Sequence, residues 1–327
     1  MLAGWVATLT GHSTDAQRWA SFIDAASFEL VPLDGTASFD SARAMLRAAM
    51  CPNGAERMMA DAMFAVAQEP PWSPWRDTAL ALLAEAHLLA GDVGSSVASF
   101  DECSTLGATL GNTDTIALGE SQLASLAMDR GQWADAAEHL QRAFATIDEH
   151  RMQDYALAVL AFVGAARLAM HHGNVKEAER QLTRAMRARP SCTFVLPWLA
   201  VRVRLQLAKI YVAMTDAQTA RHLLREIDDI LLHRSDLGAL NEDVAELRRL
   251  LTTSSQEKTA GSSPLSPAEL RLLPYLLTHL TYREIAERLF VSRNTVSTEV
   301  SSIFRKLGVS SRGEAVQAAT AIGLLGS

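Results

Sequence analysis

A repeat of 40 to 42 residues runs through the middle of the chain. Each of its four copies centres on a glycine or threonine followed by a polar residue, at positions 91, 131, 173 and 215. An alanine lies seven positions before this residue, a small residue five positions after it, and a large apolar residue nine positions after it. These places hold Ala84, Ala124, Ala166 and Ala208, then Ser96, Ala136, Ala178 and Ala220, then Phe100, Leu140, Leu182 and Leu224. A fixed period of this length predicts a repeat architecture.

The register predicts pairs of antiparallel helices. The glycine or threonine ends a first helix in a left-handed conformation, and a second helix begins directly after it. Positions two, five, nine and twelve after the glycine or threonine then fall on one face of the second helix. Neither helix can bury its apolar stripe alone, so successive pairs are expected to stack into a solenoid. The period is longer than the ~34 residues of a tetratricopeptide repeat, which the pattern otherwise suggests.

The repeat predicts an all-α first domain over residues 1–251. A weaker copy starts with Gly11 and Ala16, residues 51–54 suggest a turn, and prolines interrupt the chain at 70–74. A solenoid of this kind is expected to bind a protein or small-molecule effector. Trp72, Trp75 and the stretch 194–198 are candidate pocket walls, although aromatic residues at such places more often hold a loop onto a helix.

The composition excludes several classes of protein. Three widely spaced cysteines without a CxxC pair argue against disulfides and zinc, and favour small buried residues. The chain has no run of ~18 apolar residues and no basic segment before its apolar start, so the sequence predicts a cytoplasmic protein without a membrane partner. It shows no paired carboxylates, nucleophile elbow or metal-ligand spacing, so no enzyme, catalytic residue, metal or cofactor is predicted.

The net charge of −7 is unevenly distributed. Residues 265–327 contain seven Lys or Arg and five Glu, a balance of +2, whereas 1–251 contain 22 basic and 31 acidic residues, a balance of −9. Nucleic acid would be repelled by the large part and tolerated by the small one. Residues 252–264, rich in Ser, Thr and Gly, predict a flexible linker between the two.

Two short helices with strong start signals are predicted after the linker. Residues 266–269 read Ser-Pro-Ala-Glu, which combines a serine cap, a proline at the first helical position and a glutamate that reaches back to the cap. This helix is expected to end near Thr278, with a kink at Pro274. A second helix is expected from Thr281, with Glu284 three residues on.

A third helix, 292–307, is expected to start at Ser292 and to bury Val296, Val300, Ile303 and Leu307 on one face. The second and third helices are short and capped, and they are expected to cross at the small Ala286. This arrangement predicts a helix-turn-helix. The outer face of the third helix then shows short hydrogen-bonding groups between arginines, a set suited to a major groove. Its members are Arg293, Asn294, Ser297, Thr298, Ser301 and Arg305.

The segments TYREIAERLFVSRNTV (281–296) and IFRKLGVSSR (303–312) closely resemble the LuxR-type DNA-binding domain. The resemblance covers about residues 265–325 and places the family's signature glutamate on Glu269, its Thr-Val on 295–296 and its Lys-Leu-Gly on 306–308. It implies a four-helix helix-turn-helix domain, residues 265–327, in a bacterial transcription regulator that binds double-stranded DNA. Together with the outer face of the third helix, the resemblance predicts a set of DNA contacts. They are Thr281, Arg283, Ser292, Arg293, Asn294, Thr295, Val296, Ser297, Thr298, Ser301, Arg305 and Lys306.

The fourth helix, Ser311 to about Leu324, resembles the family's dimerisation helix. This implies a homodimer on DNA that packs through Ala315, Ala318, Ala319 and Ile322. The chain departs from the family pattern at Ser297, where lysine is usual, at Glu299, where histidine is usual, and at His279 and Ala268. The resemblance therefore implies the fold and DNA binding, but no particular target sequence.

The helical repeat is similar to the region that precedes this domain in the large ATP-dependent LuxR-type activators. Their nucleotide-binding module is missing, because none of the four lysines lies in a phosphate-binding loop pattern. The chain is expected to be a shortened regulator or the carboxyl part of a larger one. The alternative is a helical-repeat scaffold with a degenerate DNA-binding domain, which DNA binding by residues 260–327 would distinguish.

Overall fold

The computed structural model describes residues 1–30, 32–261, 265–278, 280–289, 291–321 and 324, without the side chains of 254–261, 267 and 321. The chain divides into two compact units, Met1–Arg248 and Arg249–Ser327. Throughout the described ranges the regular elements are helices, which confirms the predicted all-α class. No helix in these ranges is long and apolar enough to span a membrane.

The first unit is a tetratricopeptide-like solenoid in which most helices pack against the next one along the chain. Short 3₁₀ turns lie at Ala156–Ala158 and Arg189–Ser191. The helices are α1 (Leu2–Leu9), α2 (Ser13–Ala25), α3 (Phe39–Met50), α4 (Gly54–Gln68), α5 (Arg76–Leu89), α6 (Val93–Leu110), α7 (Thr113–Asp129), α8 (Trp133–Glu149), α9 (Val159–His171), α10 (Val175–Ala188), α11 (Pro197–Ala213), α12 (Ala217–Leu231) and α13 (Ala239–Gly261).

The four predicted repeats are the pairs α5–α6, α7–α8, α9–α10 and α11–α12. Gly91, Gly131, Gly173 and Thr215 all have positive φ, between 62° and 79°, so each ends its first helix in the predicted left-handed conformation. The next residue donates its backbone N–H to a carbonyl five positions back, at 2.8 to 2.9 Å, and thereby satisfies a free helix-end carbonyl. The weaker copy at Gly11 shows the same turn.

The predicted buried positions are confirmed. The alanines seven before each turn and the small residues five after it are at most 1 % exposed, and the large apolar residues nine after it are at most 6 % exposed. The position two after the turn is different, since Val93 and Val175 are exposed. It is the first residue of the second helix, directly after the turn.

Two of the tryptophans anchor distant segments of the first unit to each other. The indole N–H of Trp75 donates to the carbonyl of Asp34 at 2.8 Å, and that of Trp198 donates to the carbonyl of Ala49 at 2.9 Å. Trp72 is largely exposed and anchors nothing in this way. The three cysteines are buried and unpaired, as predicted.

The predicted flexible linker differs from the structure. Residues 252–261 continue α13, which runs without a break from Ala239 to Gly261. The Ser and Thr residues of this segment do not end the helix, because each costs a helix only a few tenths of a kcal/mol. A helix that has already nucleated upstream extends at little cost per residue.

Thr215 provides a test of the repeat turn. A β-branched residue in the left-handed region is strained, so Thr215→Gly should raise the free energy of unfolding of the first unit by about 1 kcal/mol. The matched control, Gly131→Thr, should lower it by a similar amount, because an added Cβ at Gly131 meets no atom within 4 Å and only the backbone term changes. Urea denaturation followed by tryptophan fluorescence measures both. Equal stability of all three proteins would contradict a left-handed turn at these positions.

Candidate nucleic-acid interface

After the end of α13, the described residues of the second unit form four short helices around one core. They are α14 (Pro267–Leu272), continued by a 3₁₀ helix (Leu273–Leu277), then α15 (Tyr282–Leu289), α16 (Arg293–Leu307) and α17 (Arg312–Ala321). The core contains Leu265, Leu272, Leu273, Leu276, Ile285, Ala286, Val296, Val300, Ile303, Ala315 and Ala319. Every helix contributes to this core, so the orientation of α16 is set by packing on several sides.

The helix starts are those the sequence predicts. Ser266 and Glu269 form a capping box, and the 3₁₀ geometry begins directly before Pro274, which cannot donate a helical hydrogen bond. At the start of α15 the Glu284 carboxylate accepts from the Thr281 backbone N–H at 2.7 Å. These local hydrogen bonds fix the residues at which α14 and α15 begin.

The helix α16 has well-defined ends. The Ser292 hydroxyl accepts from the Thr295 backbone N–H at 3.1 Å and contacts the Thr295 hydroxyl at 2.8 Å. At the other end, Gly308 has a φ of 68°, and the Val309 N–H donates to the Phe304 carbonyl at 2.9 Å. A helix held at both ends presents its side chains in a fixed register.

That register divides α16 into two faces. Val296, Val300 and Ile303 are at most 1 % exposed and pack into the core, as predicted. Two outer hydroxyls bond within the helix, Thr298 to the Asn294 carbonyl and Ser301 to the Ser297 carbonyl, both at 2.9 Å. The six residues of the predicted outer face are all exposed: Arg293, Asn294, Ser297, Thr298, Ser301 and Arg305.

The structure corrects the prediction that Val296 contacts DNA. Its side chain is completely buried in the core of the unit, so it cannot touch a base or a phosphate. The family's Thr-Val motif therefore contains one exposed residue, Thr295, and one core residue. The other predicted contact positions on α15 and α16, from Thr281 to Arg305, are exposed.

Lys306 also has a role that the sequence did not predict. Its Nζ lies 2.7 Å from an Oε atom of Glu269, whose side chain is almost fully buried. Burial by itself raises the pKa of Glu269, but hydrogen bonds from Lys306, Ser266 and Ser302 outweigh it and lower the pKa to about 2. The ammonium is thus engaged inside the unit, and the pair joins α14 to α16.

Arg312 is a further structural residue that sequence reasoning missed. Its guanidinium donates to the carbonyls of Tyr275, Leu276, Thr278 and Leu280 at 2.6 to 3.0 Å. These carbonyls lie at and just after the end of the 3₁₀ helix, where helical partners are lacking. Arg312 is the last residue of the sequence motif 303–312. Only the fold shows that its side chain connects the start of α17 to the end of the 3₁₀ helix.

The predicted dimerisation residues on α17 are partly wrong. Ala315 and Ala319 are completely buried in the core of their own unit, so they are unavailable to a second copy. Ala318 is half-buried, and Ile322 lies outside the described residues. The exposed side of α17 instead carries Gln317 and Thr320.

Comparison with protein families agrees with this geometry. Residues 38–287 match the model of the MalT-like TPR region, and residues 263–319 match the model of the bacterial regulatory proteins of the luxR family. The second unit is therefore a LuxR-family helix-turn-helix domain, the domain of DNA-binding transcription regulators. The chain belongs to the family defined by the MalT-like TPR region.

Individual similar proteins match this chain over a limited length or at low sequence identity. A probable HTH-type transcriptional regulator, GfsR of Streptomyces halstedii, is 38% identical over 82 residues, which are 24% of this chain and 34% of the relative. The match thus spans about a third of that relative's length. Among solved structures, BtubC of P. vanneervenii has 16% identity and a TM-score of 0.39, with 67% of this chain and 83% of that chain covered.

The ion pair at Glu269 can be tested with Lys306→Met, which keeps the length of the side chain and removes its charge. We expect the second unit to lose about 2 kcal/mol of unfolding free energy, because Glu269 stays buried without its cation. In the unmodified chain, stability from Glu269 is present above its ordinary pKa of 4.5 and is lost as the pH falls towards 2.

The measurement is a ¹³C NMR titration of the Glu269 carboxyl in the full chain, with hydrogen exchange of residues 291–321 as the stability readout. The midpoint should rise from about 2 in the unmodified protein to 4.5 or above in Lys306→Met. Adding Glu269→Gln to Lys306→Met should restore part of the lost protection. An unchanged midpoint would contradict the pairing.

A second test addresses Arg312. Arg312→Lys keeps the charge, but an ammonium cannot reach four carbonyls that a planar guanidinium reaches together. We expect a loss of about 2 kcal/mol in protection of the amides at 273 and 275–278, measured by hydrogen exchange. The matched control is Arg271→Lys, at an exposed position in the same unit, which should change protection by less than about 0.5 kcal/mol. Equal effects of the two changes would refute the capping role.

Proposed function

We propose that this protein regulates transcription by inserting α16 into the major groove of double-stranded DNA. The observation that carries the proposal is the division of α16 into a face locked in the core and an exposed face of small polar side chains between two arginines. An ordinary solvated helix face usually carries paired Glu and Lys residues instead. The family of the second unit supports the same conclusion.

The outer face of α16 suggests a division of roles. Asn294, Ser297, Thr298 and Ser301 are short and lie along the middle of the helix, so we assign them to base edges, where amide and hydroxyl groups read the pattern of donors and acceptors. Arg293 and Arg305 lie near its two ends and suit the flanking phosphates. Thr281, Arg283, Ser292 and Thr295 lie at the starts of α15 and α16, where backbone N–H groups also favour phosphate.

The proposal includes a homodimer on DNA. Residues 265–327 have a charge balance of only +2, so one domain would bind weakly, and two domains on half-sites about one helical turn apart would bind well. Because Ala315 and Ala319 are in the core, the dimer contact on α17 is assigned to Gln317 and Thr320, beside the half-buried Ala318.

We assign the solenoid to sensing. The MalT-like TPR region forms most of the chain, and its helices leave cavities on the surface of the first unit. An effector, either a protein or a small molecule, would bind there and control whether the terminal domains pair on DNA. In this proposal the protein acts by binding and not by catalysis, in the cytoplasm, where bacterial chromosomal DNA lies.

Ser297 provides the test of the interface. Ser297→Lys places a cation on the exposed face of α16, where it would meet a phosphate. Each phosphate neutralised changes the slope of log affinity against log salt by about 0.9, so two subunits should steepen it by roughly 1.8. Binding to random DNA should tighten, and discrimination between specific and random sites should fall, because the added interaction is indifferent to sequence.

The measurement is a salt titration of the full chain on specific and random duplexes, with the specific site obtained by genome-wide mapping and footprinting. Ser297→Ala should leave the slope unchanged. Thr183→Lys, which adds the same charge at an exposed position of the first unit, is the matched control and should leave it nearly unchanged. A Ser297→Lys slope equal to that of the unmodified chain would mean that this face does not meet DNA. A chain that selects no sites at all would favour the scaffold alternative.

A further inference from the structure

A cavity of about 350 Å³ in the first unit is walled by aromatic side chains from distant parts of the chain. Trp5 comes from α1, Trp75 precedes α5, Tyr155 precedes α9, and Trp198 lies at the start of α11. The ring centroids of Trp5 and Trp75 are 6.0 Å apart. A volume of this size accommodates a small organic molecule.

Two of the aromatic side chains in the wall are held in place by hydrogen bonds to the backbone. The indole N–H groups of Trp75 and Trp198 are engaged with the backbone carbonyls of Asp34 and Ala49. Their hydrogen-bonding edges are therefore occupied, and what they offer a ligand is ring surface. Ring surface binds apolar groups and, through its negative face, cations.

The charge of the cavity wall is entirely negative. Asp114, in the first turn of α7, is half-buried and lines the cavity, and the residues known to line it include no Lys, Arg or His. The Tyr155 hydroxyl donates to one Oδ atom of Asp114 at 3.2 Å. Burial raises the pKa of Asp114, the Tyr155 hydrogen bond lowers it, and the carboxylate of Asp77 raises it further.

Asp77 lies behind the wall and is a different kind of acid. It is completely buried, and it accepts from the Thr115 hydroxyl at 2.7 Å and from the Thr78 backbone N–H at 2.7 Å. Its hydrogen-bonding needs are met by neutral donors inside the protein. Asp114 therefore lies at the cavity surface beside a second carboxylate. A cation bound at Asp114 would offset the repulsion between the two carboxylates.

We infer that this cavity binds a small amine, with its cationic nitrogen on Asp114 and its apolar or aromatic body between Trp5, Trp75 and Trp198. An anion would meet the Asp114 carboxylate, with the Asp77 carboxylate behind it, and no lining cation would compensate. A neutral molecule would gain the aromatic contacts but would leave the Asp114 carboxylate without a charged partner. Both an ammonium and a neutral hydroxyl can donate to the carboxylate, but only the ammonium adds the attraction between opposite charges, so the ammonium is the favoured group.

This inference deepens the proposed function, since it names the chemistry of an effector for the sensing solenoid. Its test uses no DNA, so failure here leaves the DNA-binding proposal intact, and failure of DNA binding leaves the amine site intact.

The probes are phenethylamine, its neutral counterpart 2-phenylethanol and the anionic 3-phenylpropionate. They are titrated at neutral pH into the full chain labelled with 5-fluorotryptophan, whose six ¹⁹F signals are assigned by single Trp→Phe changes. We expect phenethylamine to bind at least about tenfold more tightly than 2-phenylethanol, and 3-phenylpropionate to bind most weakly. The shifted signals should be those of Trp5, Trp75 and Trp198, while Trp133, which stacks on His171 elsewhere in the unit, should not shift.

The decisive variant is Asp114→Asn, which keeps an acceptor for Tyr155 and removes the charge. It should weaken phenethylamine binding about tenfold and leave 2-phenylethanol binding unchanged. Asp101→Asn, at an exposed position on α6, is the matched control and should change neither. Equal binding of the amine and the alcohol, an unaffected Asp114→Asn variant, or shifts confined to other tryptophans would each overturn the inference.

Discussion

Close approach of paired helices through small buried side chains is the constraint on which the first unit depends. The alanines seven positions before each turn and the Ser or Ala residues five positions after it are at most 1 % exposed, so any larger side chain there would push two helix axes apart. The left-handed residue between the helices makes this approach possible, because it reverses the chain within two or three residues.

The second unit is small, and polar contacts supplement its limited core. The Glu269–Lys306 pair joins α14 to α16, and Arg312 joins α17 to the end of the preceding 3₁₀ helix. Both contacts are made at the edges of the core and leave the outer face of α16 free. Thus the residues of these two contacts differ from those proposed to read base edges, so the outer face can change its preference without loss of either contact.

Three acidic side chains of the first unit differ in the groups that pair with their carboxylates. Glu85 is completely buried, pairs with Arg202 at 2.9 Å, and is a structural group. Asp77 is satisfied by a hydroxyl and a backbone N–H. Asp114 has the Tyr155 hydroxyl as its hydrogen-bonded partner and borders an aromatic cavity, which is why it, rather than the other two, is assigned to ligand binding.

The sequence by itself determined the features that depend on near neighbours. The repeat period, the left-handed turns, the caps at Ser266 and Ser292 and the two faces of α16 all follow from residues within a few positions of one another, whose geometry a helix imposes. Only the tertiary structure decided which partner each side chain meets across the fold. Lys306 contacts Glu269, 37 positions away, Ala315 and Ala319 turn inward, and three tryptophans separated by up to 193 residues line one cavity. Such contacts depend on how helices pack, and a local pattern of apolar and polar residues carries no information on the partner that a given face will meet.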